Sequence, residues 1–221
     1  MRITTALKVM SAAAFAALAA CSADMPSAPV AASPDVAAPS FAKGGNGNGN
    51  GSATATTIRV NTQESRFYSI GSQSWVYIPA GAICADGSGY GPEFWDAPCT
   101  LATGTIDIPV TLRADNGRPS AEFHHDVRFA PAAGNHWSQW VILGLKVQGN
   151  LNRQLGYGIL YRPTGTSTWI DEAATDPSLE AFRVTGNVIA RRLKHFSGYN
   201  VALGYREQAD PTGGTLIGGA Q

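Results

Sequence analysis

The chain has 221 residues, in which sixteen lysine and arginine residues balance sixteen aspartate and glutamate residues, so its formal net charge is zero. No run or stripe of basic side chains occurs, which argues against nucleic acid as a partner. Beyond an N-terminal leader and a low-complexity stretch, about 150 residues remain, which is enough for one domain with a substantial core.

The leader carries Arg2 and Lys8 before an apolar run that ends in Leu18-Ala19-Ala20-Cys21. A positive start, an apolar middle and small residues at the end are typical of a secretory signal peptide, predicted here at residues 1–20. Cys21 directly after the small residues resembles the lipobox of a bacterial lipoprotein, which implies a lipid-modified Cys21 that anchors the chain in a membrane. The alternative is an ordinary secretory signal that ends near a cysteine. The residue after this cysteine is Ser22 rather than an aspartate, which is similar to lipoproteins that are sent to the outer membrane.

Residues 21–56 form the predicted linker, rich in alanine, proline, glycine and asparagine, with the repeat Gly44–Gly51 as its most glycine-rich part. Few large apolar side chains occur there, so the segment cannot offset its ordering entropy and we expect it to be disordered. A glycine-rich coil of this length has a mean reach of about 30 Å, enough to clear lipid headgroups.

The domain at residues 57–205 consists of short segments in which apolar and polar residues alternate, separated by glycine, proline, asparagine and aspartate. This pattern predicts an all-β, antiparallel sandwich or barrel, followed by a flexible tail at 206–221. The predicted strands are Thr57–Val60, Arg66–Ile70, Ser74–Ile78, Thr105–Leu112, Ala121–His124, Trp140–Val147, Tyr157–Tyr161, Ala181–Thr185, Asn187–Leu193 and Asn200–Leu203.

Cys84 and Cys99 are the cysteines that remain once Cys21 is assigned to the lipid anchor. In an exported domain thiols meet an oxidising environment, so we expect these two to pair. The alternative is a pair of free structural thiols. A bridge would staple a turn-rich loop that carries Tyr90, Phe94 and Trp95.

Three segments together resemble the ZU-five domain, the β-sandwich module of netrin receptors and ankyrins: Ile78-Pro79-Ala80-Gly81-Ala82, Leu160-Tyr161 followed by Thr168-Trp169, and Leu193 to Ala202. The resemblance covers residues 75 to 203 and implies a ZU-five-like β-sandwich that binds or supports other molecules. The loop between Cys84 and Cys99 looks like an insertion in that pattern.

His195-Phe196-Ser197 matches a triplet at which some relatives of that domain cut themselves. The resemblance implies that Ser197 would attack the carbonyl of Phe196, with His195 as the base that takes the hydroxyl proton. In the alternative interpretation Phe196 and Tyr199 pack in the core, His195 bonds a nearby loop and Ser197 shapes a turn.

Metal binding by His124, His125 and His136, aided by Asp126, is a weaker hypothesis. Adjacent strand residues point to opposite faces, so only one of the histidine pair could join a given site. No spacing typical of a metal site occurs, and we expect neither a metal nor a cofactor.

Two further sites can be assembled from residue types alone. Ser197, His124 and Asp126 could form a hydrolase triad, but no nucleophile elbow supports it. The tryptophans could form a sugar-stacking platform, although core and rim packing is the alternative. The candidates are Trp75, Trp95, Trp137 and Trp140.

These features predict an exported bacterial lipoprotein of the outer membrane whose domain is a non-catalytic binding or structural module. Its expected partners are the membrane, through the lipid anchor, and a protein or glycan of the cell envelope. The alternatives are a self-cleaving module that cuts between Phe196 and Ser197, and a module that binds carbohydrate or peptidoglycan.

Overall fold

The computed structural model describes residues 53–71, 73–115, 118–148, 156–184, 187–203 and 207–208. Within these ranges the chain forms two β-sheets. The strands are β1 (Thr54–Asn61), β2 (Arg66–Gly71), β3 (Ser74–Ile78), β4 (Thr105–Asp115), β5 (Arg118–Phe123), β6 (Val141–Lys146), β7 (Tyr157–Arg162), β8 (Ala181–Arg183), β9 (Val188–Leu193), β10 (Gly198–Leu203) and β11 (Glu207–Gln208). Single-turn 3-10 helices lie at Trp137–Gln139, Glu172–Ala174 and Pro177–Leu179.

The first sheet has the order β1-β4-β5-β10-β7 and the second the order β11-β8-β9-β6-β3-β2. All the strand pairs are antiparallel except β11 with β8. The predicted all-β fold with antiparallel sheets is therefore confirmed, and each of the ten predicted strands overlaps an observed one.

Period-2 patterning explains why these segments are strands. In β1, Ile58 and Val60 are buried, whereas Arg59 between them points to solvent and pairs with Asp107 on β4 at 2.9 Å. Alternation of this kind places one face of each strand against the core and the other in water. The main apolar cluster draws buried side chains from both sheets, among them Ile108 and Phe123 of the first and Val76 and Leu143 of the second.

The second sheet is buried on both faces at its centre. All five residues of β3 are buried, and its outward-facing Trp75 and Tyr77 belong to a second apolar cluster together with Ile142 and Phe182. The Trp75 indole lies over Gly144 on β6, so closely that a Cβ atom there would come within 2.4 Å of its ring. A glycine at this position is what allows the ring to lie flat on the sheet.

Several predictions fall outside the described residues. The signal peptide at 1–20, Cys21 and most of the 21–56 linker lie there, as does most of the 206–221 tail, of which Glu207 and Gln208 pair with β8. Among the described residues, no helix has both the length and the apolar character needed to cross a membrane.

Candidate functional site at His195

His195 lies at the junction of β9 and β10 and is completely buried. The Trp95 ring stacks on it, with centroids 4.0 Å apart and an angle of 16° between the planes. Tyr161 of β7 meets it edge to face at 4.5 Å. The imidazole is therefore enclosed by aromatic rings contributed by separate parts of the chain.

One ring nitrogen of His195 contacts a buried carboxylate. Its Nε2 atom lies 3.0 Å from Oε1 of Glu172, the first residue of the 3-10 turn Glu172–Ala174. The other carboxylate oxygen of Glu172 pairs with the buried guanidinium of Arg191 on β9. Arg191 also donates to the carbonyl of Ile159 at 2.6 Å. Glu172 thus bridges a histidine and an arginine inside the domain.

The other ring nitrogen faces two tyrosine hydroxyls. Nδ1 of His195 lies 3.3 Å from the oxygen of Tyr90 and 3.3 Å from that of Tyr199. Each hydroxyl proton is already donated to a main-chain carbonyl, by Tyr90 to Phe196 at 2.5 Å and by Tyr199 to His195 at 2.7 Å. Both ring nitrogens of His195 are therefore engaged by Glu172, Tyr90 and Tyr199, and neither has the Ser197 hydroxyl as its partner.

The electrostatics of the cluster favour a charged Glu172 and neutral tyrosines. Burial by itself would raise the pKa of Glu172, but the hydrogen bond from His195 and the charge of Arg191 outweigh it and hold the pKa below its usual value. Burial raises the pKa of Tyr161 to about 12 and moves those of Tyr90 and Tyr199 upward as well. The tyrosines are therefore hydrogen-bond donors at neutral pH.

Phe196 and Ser197 follow His195 into the core. The Phe196 ring is fully buried, stacked on Phe123 at 4.1 Å and edge to face with Phe129 at 4.7 Å. The Ser197 hydroxyl is also buried and donates to the carbonyl of Arg162 at 2.7 Å. Phe196 and Tyr199 thus lie in the core, as the structural interpretation of the triplet predicts.

The segment from Cys84 to Cys99, here called the disulfide loop, covers the His195 cluster. The predicted bridge between its two cysteines is present. Buried Arg128 donates to the carbonyls of four loop residues, Ser88, Phe94, Ala97 and Pro98. These bonds satisfy main-chain acceptors of a turn-rich segment that has few bonds of its own, and so they hold Tyr90 and Trp95 over His195.

The predicted metal ligands do not come together. His124 contacts the Thr111 hydroxyl at 2.8 Å, Asp126 accepts from Thr164 at 3.0 Å, and His136 contacts the Ser138 hydroxyl at 2.7 Å. Across the described ranges, no group of three histidine, cysteine, aspartate or glutamate side chains is placed to hold a metal ion. The hypothetical triad of Ser197, His124 and Asp126 is likewise divided among separate partners.

The tryptophans that could form a sugar platform occupy different sites. Trp75 is only 4% exposed and belongs to the second apolar cluster, which Trp137 and Trp140 partly cover. Trp95 and Trp140 line one cleft together. The four tryptophans therefore do not form a single platform.

Sequence reasoning missed Glu172, Arg191 and Tyr161 as members of the His195 cluster. Glu172 is 23 positions from His195 and no spacing rule connects them. An arginine in a predicted strand is expected to face solvent, so nothing in the sequence indicates that Arg191 is buried. Comparison with known proteins identified no relatives, since no family model, no curated protein and no solved structure matches the chain.

Proposed function

We propose that this chain is an exported bacterial lipoprotein, anchored to the outer membrane through Cys21, whose ZU-five-like β-sandwich is a non-catalytic binding module of the cell envelope. The leader that ends at Cys21 supports the anchor and the export. The bridge between Cys84 and Cys99 is in keeping with an oxidising compartment.

The observation that carries the non-catalytic part is the bonding of His195 and Ser197. The Ser197 hydroxyl donates to the main-chain carbonyl of Arg162, and both ring nitrogens of His195 contact groups other than Ser197. A serine becomes a nucleophile only when a base accepts its proton. In this arrangement the triplet ties β9, β10 and the disulfide loop together.

Metabolic labelling tests the anchor. We expect the full-length chain, expressed in a diderm bacterium with radioactive palmitate, to carry label and to fractionate with the outer membrane. The Cys21→Ser variant should carry no label and leave the membrane fraction, whereas Cys84→Ser should keep the label. Unlabelled wild-type protein in the soluble fraction would refute the lipoprotein proposal.

Self-cleavage is the second candidate, favoured by one contact. The Tyr90 hydroxyl donates to the carbonyl oxygen of Phe196 at 2.5 Å, and a donor at that oxygen polarises the bond that Ser197 would attack. In the reaction Oγ of Ser197 bonds to the Phe196 carbonyl carbon, the Phe196–Ser197 C–N bond breaks, and the hydroxyl proton passes to the released amine. Water then hydrolyses the ester.

Intact mass spectrometry under denaturing conditions separates the two candidates. For the non-catalytic module we expect a single uncut chain, with the same result for Ser197→Ala. A C-terminal fragment that begins at Ser197 in the wild type, and is absent from Ser197→Ala, would replace the non-catalytic proposal by the self-cleaving one.

A further inference from the structure

We propose that the cleft between Trp95 and Trp140 binds one uncharged sugar residue of an envelope glycan. This inference rests on the proposed function and names its partner class. The cleft has a volume of about 100 Å³ and lies between the disulfide loop and the segment that leads into β6. It is called the Trp95–Trp140 cleft below.

Aromatic and aliphatic side chains make up much of the lining of the cleft. The two tryptophans line it from separate segments of the chain, together with Phe129, Val141 and Leu193, which are all buried. Flat, rigid indole rings offer large contact areas at little entropic cost, and the C–H faces of a sugar ring match them. The apolar surface therefore favours a ligand with a flat, carbon-rich face.

The charged side chains at the rim of the cleft determine which ligand charge is favoured. The Lys194 ammonium lies 2.6 Å from a carboxylate oxygen of Asp96 and 2.6 Å from one of Asp176, so its charge is already neutralised with one carboxylate in excess. The Asp96 side chain is 74% exposed and keeps acceptor positions open to solvent. A rim of this kind repels anions and accepts hydrogen bonds from hydroxyl groups.

A positively charged ligand is disfavoured by a cation of the protein that already lies beside the cleft. Trp140 has the Arg192 guanidinium 5.0 Å from its ring centroid, and Trp95 is stacked on His195. The Trp140 ring, already engaged by the Arg192 guanidinium, has less negative charge to offer a second cation. The charge of Arg192 thus offsets the carboxylate in excess at the rim, and such balanced surroundings favour a neutral ligand. The exposed amide of Gln139 adds a donor and an acceptor for it.

The cleft is preformed. The Trp140 indole donates to the carbonyl of Gly134 at 2.8 Å, and Arg192 donates to that of Asn135 at 2.9 Å. On the opposite side, the disulfide and the Lys194–Asp96 ion pair hold Trp95 in place. Because little side-chain freedom remains to be lost, even a small ligand can be held at useful affinity.

The volume limits the ligand to one ring. A closed cavity of about 150 Å³ holds benzene. A cleft of about 100 Å³ that opens to solvent accommodates part of one sugar ring, with the rest of the glycan outside.

Calorimetry with the full-length protein in detergent micelles tests the inference. The probes are the uncharged hexamers of glucose and of N-acetylglucosamine, the anionic hexamer of galacturonate, and a short peptide rich in leucine. We expect binding of at least one neutral hexamer and none of the anionic one. Trp140→Ala should weaken binding at least tenfold, whereas Trp169→Ala, outside the cleft, should leave it unchanged.

A second variant guards against misfolding of Trp140→Ala. The exposed Gln139→Ala should retain the melting temperature of the wild type and weaken binding about threefold, as the loss of one hydrogen bond predicts. No binding of either neutral hexamer, preference for the anionic hexamer or the peptide, or full binding by Trp140→Ala would each overturn the inference. These outcomes leave palmitate labelling at Cys21 untouched, so failure here is distinguishable from failure of the proposed function.

Discussion

The indole of Trp95, in the disulfide loop, is stacked on the imidazole of His195, at the junction of β9 and β10, with the ring centroids 4.0 Å apart. This contact joins the loop to the cluster that holds the buried ion pair of Glu172 with Arg191. The two carboxylate oxygens of Glu172 contact Nε2 of His195 and the guanidinium of Arg191. The loop therefore serves as the cover that keeps water from these charges.

Loss of the disulfide should destabilise the domain. Its cysteines are separated by 15 positions, and closure of a loop of that size contributes about 3 kcal/mol in the chain-entropy model. We expect the Cys84→Ser/Cys99→Ser double variant to lose about that much free energy of unfolding in urea, and reductant to have the same effect on the wild type. As a control, Arg59→Ala removes an exposed ion pair and should leave the midpoint unchanged. Equal midpoints for the double variant and the wild type would contradict the prediction.

Replacement of Glu172 should cost more than loss of an ordinary hydrogen bond. Glu172→Gln leaves the buried guanidinium of Arg191 without its counter-charge, for which a loss of about 3–5 kcal/mol is expected in denaturant unfolding. The double variant Glu172→Gln/Arg191→Met removes both charges and should recover part of the loss. A double variant less stable than the single one would argue against an unpaired charge as the cause.

The folded state should weaken in acid. The pKa of Glu172 is held below its usual value in the folded protein, so the stabilisation is fully present above the unfolded pKa and is lost as the pH falls through the folded one. Unfolding free energies measured from pH 7 to pH 3 should therefore decline below about pH 4.5. The decline of the unfolding free energy with falling pH should be shallower in Glu172→Gln. Part of the decline should remain, because the pKa of Asp176 is also lowered. Identical slopes in the two proteins would exclude Glu172 as a source of the acid sensitivity.

Gly144→Ala tests the packing of Trp75. The added Cβ would lie 2.4 Å from the indole, which must shift on a sheet that is buried there, and overpacking of this kind costs about 1–3 kcal/mol. Gly134→Ala is the matched control, because its Cβ would meet only the flexible end of Gln139. Thermal melts should show a lower midpoint for Gly144→Ala alone, and equal midpoints for the two variants would refute the close contact.

Much of the fold follows from local pattern. Alternation in segments such as Thr57–Val60 predicts strands because the side-chain period of a strand is two, and that period needs no knowledge of which strands pair. The bridge between Cys84 and Cys99 follows from counting the cysteines of a chain that is predicted to be exported. The triplet of His195, Phe196 and Ser197 is visible as a motif, yet its residue types fit catalysis and core packing equally well.

Tertiary structure alone decides what His195 does. Its partners Glu172, Tyr90 and Trp95 are far from it along the chain. They meet it only because the disulfide loop and the turn Glu172–Ala174 fold against the junction of β9 and β10. The burial of Arg191 has the same origin, since its inward-facing charge is paired with Glu172 from another segment of the chain. The sequence determined which segments become strands through local periodicity, whereas pairing between distant side chains depends on the packing of the two sheets.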